Sequence, residues 1–198
     1  MKTIALTGTL RSDLGKKSTK ALRKEGLVPC VIYGGEKNIH FSAKAQDFRD
    51  LIYTNEFRTA SVEVDGQSIP AIIKDIQFHP VTDNIMHIDM LELVDGKQVK
   101  AEIPLSLVGN AAGVKVGGVL MQKVRKVKVM TTPDKLSSTI EVNVDELTLG
   151  KSIRIRDIKV AEGIEVINAG GIPIASVEIP RALRSAEAKA AAMAAQEK

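Results

Sequence analysis

Short apolar runs dominate the chain, most of them alternating with polar residues and bounded by Gly, Pro, Asn or Asp, and stretches of helical period are few. The pattern predicts a mainly β architecture. In Ile4-Ala5-Leu6-Thr7-Gly8-Thr9-Leu10 a period of two puts Ile4, Leu6 and Leu10 on one face, and Val28 to Tyr33 forms a second apolar strand. A basic helix is expected between them, capped at its start by Ser18 or Thr19, ended by Gly26 in a left-handed conformation, and turning Ala21 and Leu22 inward. A second helix is expected over Ala45 to Tyr53, where Phe48, Leu51 and Ile52 make an apolar stripe. Asp65-Gly66, between Val62-Glu63-Val64 and Ser68 to Ile76, signals a hairpin, because this dipeptide accepts the positive backbone angles of a tight turn. In Ile85 to Leu93 the residues Met86, Ile88 and Met90 alternate with His87 and Asp89, so the imidazole and the carboxylate share a strand face.

After Asp95-Gly96 the texture changes to a new set of short strands, punctuated by Pro104, Pro133, Pro173 and Pro180. With 198 residues there is enough chain for two small cores, and the expected division is 1–92, 93–180 and a tail, 181–198. Eight of the last eighteen residues are alanine, which reads as a frayed helix or a disordered tail. The run GNAAGVKVGG from Gly109 to Gly118 carries four glycines, yet it lacks the Gly-Lys-Ser/Thr ending of a P-loop and leads into the strand-like Val119-Leu120-Met121. It reads as a structural turn or bulge.

Composition narrows the classes further. A single cysteine excludes a disulfide framework and a multi-cysteine metal cage, and Cys30, inside an apolar strand, reads as a small buried hydrophobe. No apolar run reaches the roughly 20 residues needed to cross a bilayer, and the first residues lack a secretory signature, so the chain reads as cytoplasmic, with no membrane partner. Aromatic residues make up only 3%, which excludes a broad base-stacking platform. The net charge of +4 hides a strong polarity. Residues 1–24 carry seven basic groups against Asp13 alone, or +6, whereas residues 25–92 carry five basic groups against eleven acids, or −6. One basic face suited to polyanions is implied, with the remaining surface repelling them.

Candidate chemistry concentrates at that face. Lys16, Lys20, Arg23 and Lys24 recur at i, i+4, i+7 and i+8, which gathers four cations on one side of the basic helix, where they repel one another unless an anion meets them. Arg11 precedes them at a strand end, and Gly15-Lys16-Lys17 offers a flexible entry. Tyr33 ends a strand just before Gly34-Gly35, where a phenol packs on one side and hydrogen-bonds on the other. His79, before Pro80, reads as positioning a loop. The histidines His40, His79 and His87 show no helical metal spacing, so neither a metal nor another cofactor is expected. Tyr33, His87 and Asp89 are also plausible residue types for an acid–base enzyme. That alternative does not use the basic helix.

The segment Ala21-Leu22-Arg23-Lys24-Glu25-Gly26-Leu27-Val28-Pro29-Cys30-Val31-Ile32-Tyr33-Gly34-Gly35 resembles the family of bacterial large-subunit ribosomal protein L twenty-five, in the longer two-domain form called Ctc. Asp75-Ile76-Gln77-Phe78-His79-Pro80 and Met86-His87-Ile88-Asp89 look like the end of that family's RNA-binding domain, and Val108-Gly109 through Val119-Leu120 like its second domain. The resemblance implies a six-stranded β-barrel with helices at its side over 1–92, binding 5S ribosomal RNA in the large ribosomal subunit, with no small-molecule substrate. It places RNA contacts on Arg11, Lys16, Lys20, Arg23, Lys24, Tyr33, His87 and Asp89. Lys20 and Lys24 stand where arginine is common in the family, which turns a bidentate fork into a point charge, and Met90 replaces a frequent aromatic. A constitutive ribosomal component and a stress-linked factor that meets ribosomes conditionally both fit the sequence. In the second domain Lys115, Lys123, Arg125, Lys126 and Lys128 occur without an acid among them. Contact with neighbouring ribosomal components and a solvated edge protected by lysines explain this equally well.

Overall fold

The computed structural model describes residues 1–180. These divide into two units, residues 1–103 with 130–138, and residues 104–129 with 139–180. In the first unit, β1 (Thr3–Thr7) and β2 (Thr9–Leu10) are halves of one extended segment broken at Gly8. There follow α1 (Lys16–Lys24), β3 (Leu27–Tyr33), β4 (Ile39–Lys44), a 3-10 turn at Ala45–Phe48 that runs into α2 (Arg49–Ile52), then β5 (Thr59–Val64), β6 (Gln67–Phe78) and β7 (Ile85–Glu92). The sheet order is β1-β5-β6-β7-β3-β4-β2. β1 pairs in parallel with β5 at one edge, and β2 pairs antiparallel with β4 at the other. Because β1 and β2 are consecutive in the chain, this pairing closes the sheet on itself and leaves a barrel of six staves, the number implied by the resemblance. Closure removes the open edges that would invite association.

Gly8 makes the closure sterically feasible. A methyl group added there would lie 2.5 Å from Cδ2 of Phe41, whose ring is fully buried in the barrel. The break also resets the alternation, so Ile4 and Leu6 turn inward as expected while Leu10 is left 56% exposed. Inward-facing Val28, Cys30 and Ile32 of β3 meet Ile88 and Met90 of β7, and Phe48 joins the same core. Burial pushes the Cys30 thiol far above its ordinary value, with Arg11 opposing and Asp89 reinforcing the shift, so the residue is an inert core group. The hairpin turn falls at Asp65-Gly66, with φ of 50° and 76°.

Three local expectations need correction. α1 begins at Lys16 with Gly15 as its unassisted cap. Ser18 and Thr19 sit inside the first turns instead, and their hydroxyls donate to the carbonyls of Asp13, Gly15 and Lys16. Ala21 is exposed, because only Leu22 and Arg23 of that helix's last turns reach the barrel wall. The segment expected as one helix over 45–53 splits into a 3-10 turn and one α-turn, since burying Phe48 completely takes priority over a continuous helical stripe.

The remaining elements are β8 (Val99–Val108), α3 (Ala112–Lys115), β9 (Val119–Gln122), β10 (Lys126–Thr131), a 3-10 turn at Pro133–Lys135, β11 (Ile140–Asn143), β12 (Ser152–Arg154), a 3-10 turn at Ile155–Asp157, β13 (Glu165–Val166) and β14 (Pro173–Glu178). They build a four-stranded sheet, β11-β8-β10-β13, and a three-stranded sheet, β12-β14-β9. The glycine-rich run contains the helical turn α3 where a β-turn or bulge was expected. Its Gly113 and Gly118 are small because a side chain there would collide with Val177 and with Leu149. In β10, Val127 and Val129 are buried, while Lys126 and Lys128 share the exposed face. The alanine-rich segment 181–198 lies outside the described residues.

Replacing Gly8 with alanine is expected to lower the free energy of unfolding by about 1–3 kcal/mol. Overpacking against a fully buried ring outweighs the smaller gain from a stiffer unfolded chain. Urea denaturation of the full chain measures this.

Candidate nucleic-acid interface

α1 carries its cations because nothing apolar competes for its outer surface: none of its residues is fully buried, and Lys16, Lys17, Lys20 and Lys24 are all exposed. Arg23 differs from them. It is half-buried, and its Nε donates to the carbonyl oxygen of Met86 at 3.0 Å. That bond ties the cationic helix to β7 one residue before His87. Arg11 lies beyond β2, where its backbone N–H donates to the carbonyl of His40 and one guanidinium nitrogen donates to the carbonyl of Asp13 at 2.9 Å. The Nε of Arg11 is buried without a partner among the described residues.

On β7, Ile88 and Met90 point into the barrel and are fully buried, and His87 and Asp89 point outward. Their side chains touch, with His87 Nδ1 2.8 Å from Asp89 Oδ1, and each is about 30% exposed. This contact keeps a proton on Nδ1 and leaves Nε2 for a further partner. β3 runs parallel to β7 with Val31 beside Asp89 and Tyr33 beside Leu91. Burial, then the carboxylates of Asp89 and Asp75, push the Tyr33 phenol above its ordinary value, so it remains a hydrogen-bond donor.

The sequence reading missed two members of this surface. β6 pairs antiparallel with β7 so that Asp75 lies opposite Asp89 and Gln77 opposite His87. Ile76 between them packs into the core, which sends both polar residues outward. The alternation of Asp75-Ile76-Gln77 was visible in the sequence, but the register against β7 was not. The structure thus gathers Tyr33, His87 and Asp89 on one outer wall and fastens Arg23 beside it. Lys16, Lys20 and Lys24 are on the adjoining helix, and Arg11 stands at the end of β2.

Between α1 and the loop joining β6 to β7 lies a groove of about 540 Å³, lined by Lys20, Arg23, Lys24, His79, Asn84 and Met86 among others. His79 shapes that loop: its Nδ1 accepts the backbone N–H groups of Val81 and Thr82, each at 3.3 Å. Among the described residues, no group of three or more His, Cys, Asp or Glu side chains is arranged to hold a metal ion, and no helix is long and apolar enough to cross a membrane.

A closed barrel with a cationic helix fastened beside a wall of hydrogen-bonding side chains defines a small β-barrel module with one basic face, followed by a second β-rich unit. The chain belongs to the Ribosomal L25p family, which matches residues 6–90, while the C-terminal domain of ribosomal protein TL5 matches residues 98–181. Similar proteins include the large ribosomal subunit protein bL25 of Cytophaga hutchinsonii, 40% identical over 191 residues that cover 96% of this chain and 99% of the relative. The bL25 of Porphyromonas gingivalis is 42% identical over 191 residues, with the same coverage.

Arg23→Ala is expected to cost about 1 kcal/mol of stability through the lost bond to the Met86 carbonyl, whereas Lys20→Ala should change stability by less than about 0.5 kcal/mol. Parallel urea titrations of the two variants measure the difference.

Proposed function

We propose that this protein is a structural component of the large ribosomal subunit that binds 5S ribosomal RNA through residues 1–92, with residues 93–180 as a second domain. The observation that carries the reading is the Arg23 bond to Met86, which fixes a phosphate-attracting helix directly beside the His87–Asp89 pair. The names of the relatives supply the ribosomal context. Membership of a ribosomal protein family also removes the acid–base enzyme alternative for Tyr33, His87 and Asp89.

The mechanism divides affinity from specificity. Lys16, Lys20 and Lys24 neutralise phosphates as mobile point charges, and Arg11 and Arg23 do so from more fixed positions. Arg23 spends its Nε on the protein and keeps its terminal nitrogens for RNA. The wide, shallow minor groove of folded RNA exposes sugar hydroxyls and base edges to the barrel wall. There the protonated Tyr33 phenol donates to a sugar oxygen. Asp89 orients His87 and accepts from base amino groups, as an acid beside phosphate is otherwise unfavourable.

The test is a binding titration of the full chain against 5S ribosomal RNA and against transfer RNA over a range of salt. With about five phosphates neutralised, the logarithm of the 5S association constant should fall with the logarithm of salt concentration at a slope near −4. A preference for 5S ribosomal RNA should persist at every salt concentration. A slope shallower than about −1, or equal affinity for both RNAs, contradicts the proposal.

A further inference from the structure

Asp75 stands directly across the β6–β7 ladder from Asp89, on the same outward face of the barrel. Residues so placed have Cβ atoms roughly 5 Å apart, and like charges directly opposite one another are unfavourable. The two carboxylates differ in their occupation. Asp89 is engaged by His87 Nδ1. The side chain of Asp75 has no hydrogen-bond or ion-pair partner among the described residues, although it is exposed on a strand whose neighbours Ile73 and Ile76 are fixed by the core. Nothing in the barrel fold requires an acid there. On the opposite flank of β6, β5 pairs only from Ala60 opposite Ala71 to Val64 opposite Gln67, so its ladder ends before the level of Asp75.

We propose that Asp75 is a second specificity-determining carboxylate of the RNA interface, which together with Asp89 forms a paired acceptor for the adjacent N–H donors of a base edge and turns phosphate away. This rests on the reading of the barrel wall as an RNA-binding surface. The chemistry that satisfies two neighbouring acceptors in a minor groove is a group presenting two N–H bonds there, as guanine does with its exocyclic amino group. A phosphate oxygen presents none. The Tyr33 phenol, held protonated beside both carboxylates, adds a donor at the border of the acceptor pair. The interface is therefore polarised: α1 attracts backbone phosphates, and the β6–β7 wall rejects them and accepts only a donor edge. Such a pattern allows one docking register, because sliding the RNA by a nucleotide would bring phosphate against two anions.

The substitution Asp75→Asn separates the possible roles while keeping size and shape. The full chain carrying Asp75→Asn, the full chain carrying Asp89→Asn and the parent are titrated against 5S ribosomal RNA and transfer RNA at one fixed salt concentration, with thermal unfolding recorded for each. Because the substitution removes a like-charge contact, the thermal midpoint of Asp75→Asn should equal or exceed that of the parent. Its affinity for 5S ribosomal RNA should nevertheless fall roughly five- to 150-fold, with affinity for transfer RNA unchanged or raised. Unchanged or tighter binding to 5S ribosomal RNA overturns the inference, as does an equal loss on both RNAs. If the parent itself fails to prefer 5S ribosomal RNA, the underlying functional reading fails. If the parent and Asp75→Asn prefer it equally while Asp89→Asn does not, only the role of Asp75 is rejected.

Discussion

Closure of the barrel at Gly8 is the constraint on which the first unit depends. One short segment must pair with β5 before the break and with β4 after it, and the chain passes the Phe41 ring at a distance that leaves no room for a side chain. Once the sheet is closed, every strand has a fixed inner and outer face. Ile88 and Met90 are then held inside, and His87 and Asp89 have no choice but to project from the wall. The order of the wall comes from backbone pairing and core packing, so its polar side chains are presented on a rigid support.

Charge is distributed over this support in a way that hydrophobic folding alone does not explain. α1 buries no residue completely and collects lysines that repel one another, while β6 and β7 bring two aspartates face to face. Each arrangement costs stability in the isolated protein. A partner with phosphates on one side and base-edge donors on the other relieves both at once. The Arg23 bond to Met86 sets the separation of the two zones, and with it the spacing that the partner must match.

Much of this was legible in the sequence wherever the determinant was local. The Asp65-Gly66 turn, the left-handed Gly26, with φ of 78°, and the outward pairing of His87 with Asp89 follow from backbone preference and a two-residue period. The errors arose where tertiary structure overrode local preference. Leu10 left its expected face because Gly8 reset the strand, Phe48 broke a helix by being drawn into the barrel, and α1 began at an uncapped glycine although Ser18 and Thr19 were available. Asp75 and Gln77 escaped notice because their neighbours across the ladder depend on a register that only the folded β6–β7 pair defines. The docking of Arg23 on a carbonyl 63 residues away was equally invisible.

The central claim is that one face of the first unit, formed by α1 and the β6–β7 wall, grips a single region of 5S ribosomal RNA. Hydroxyl-radical footprinting of that RNA bound to the full chain tests this most directly. The account predicts one continuous protected patch, lost when Lys16, Lys20 and Lys24 are together replaced by alanine in a chain that still unfolds at the parent temperature. Protection scattered along the RNA, or a footprint that survives those three replacements, would contradict it.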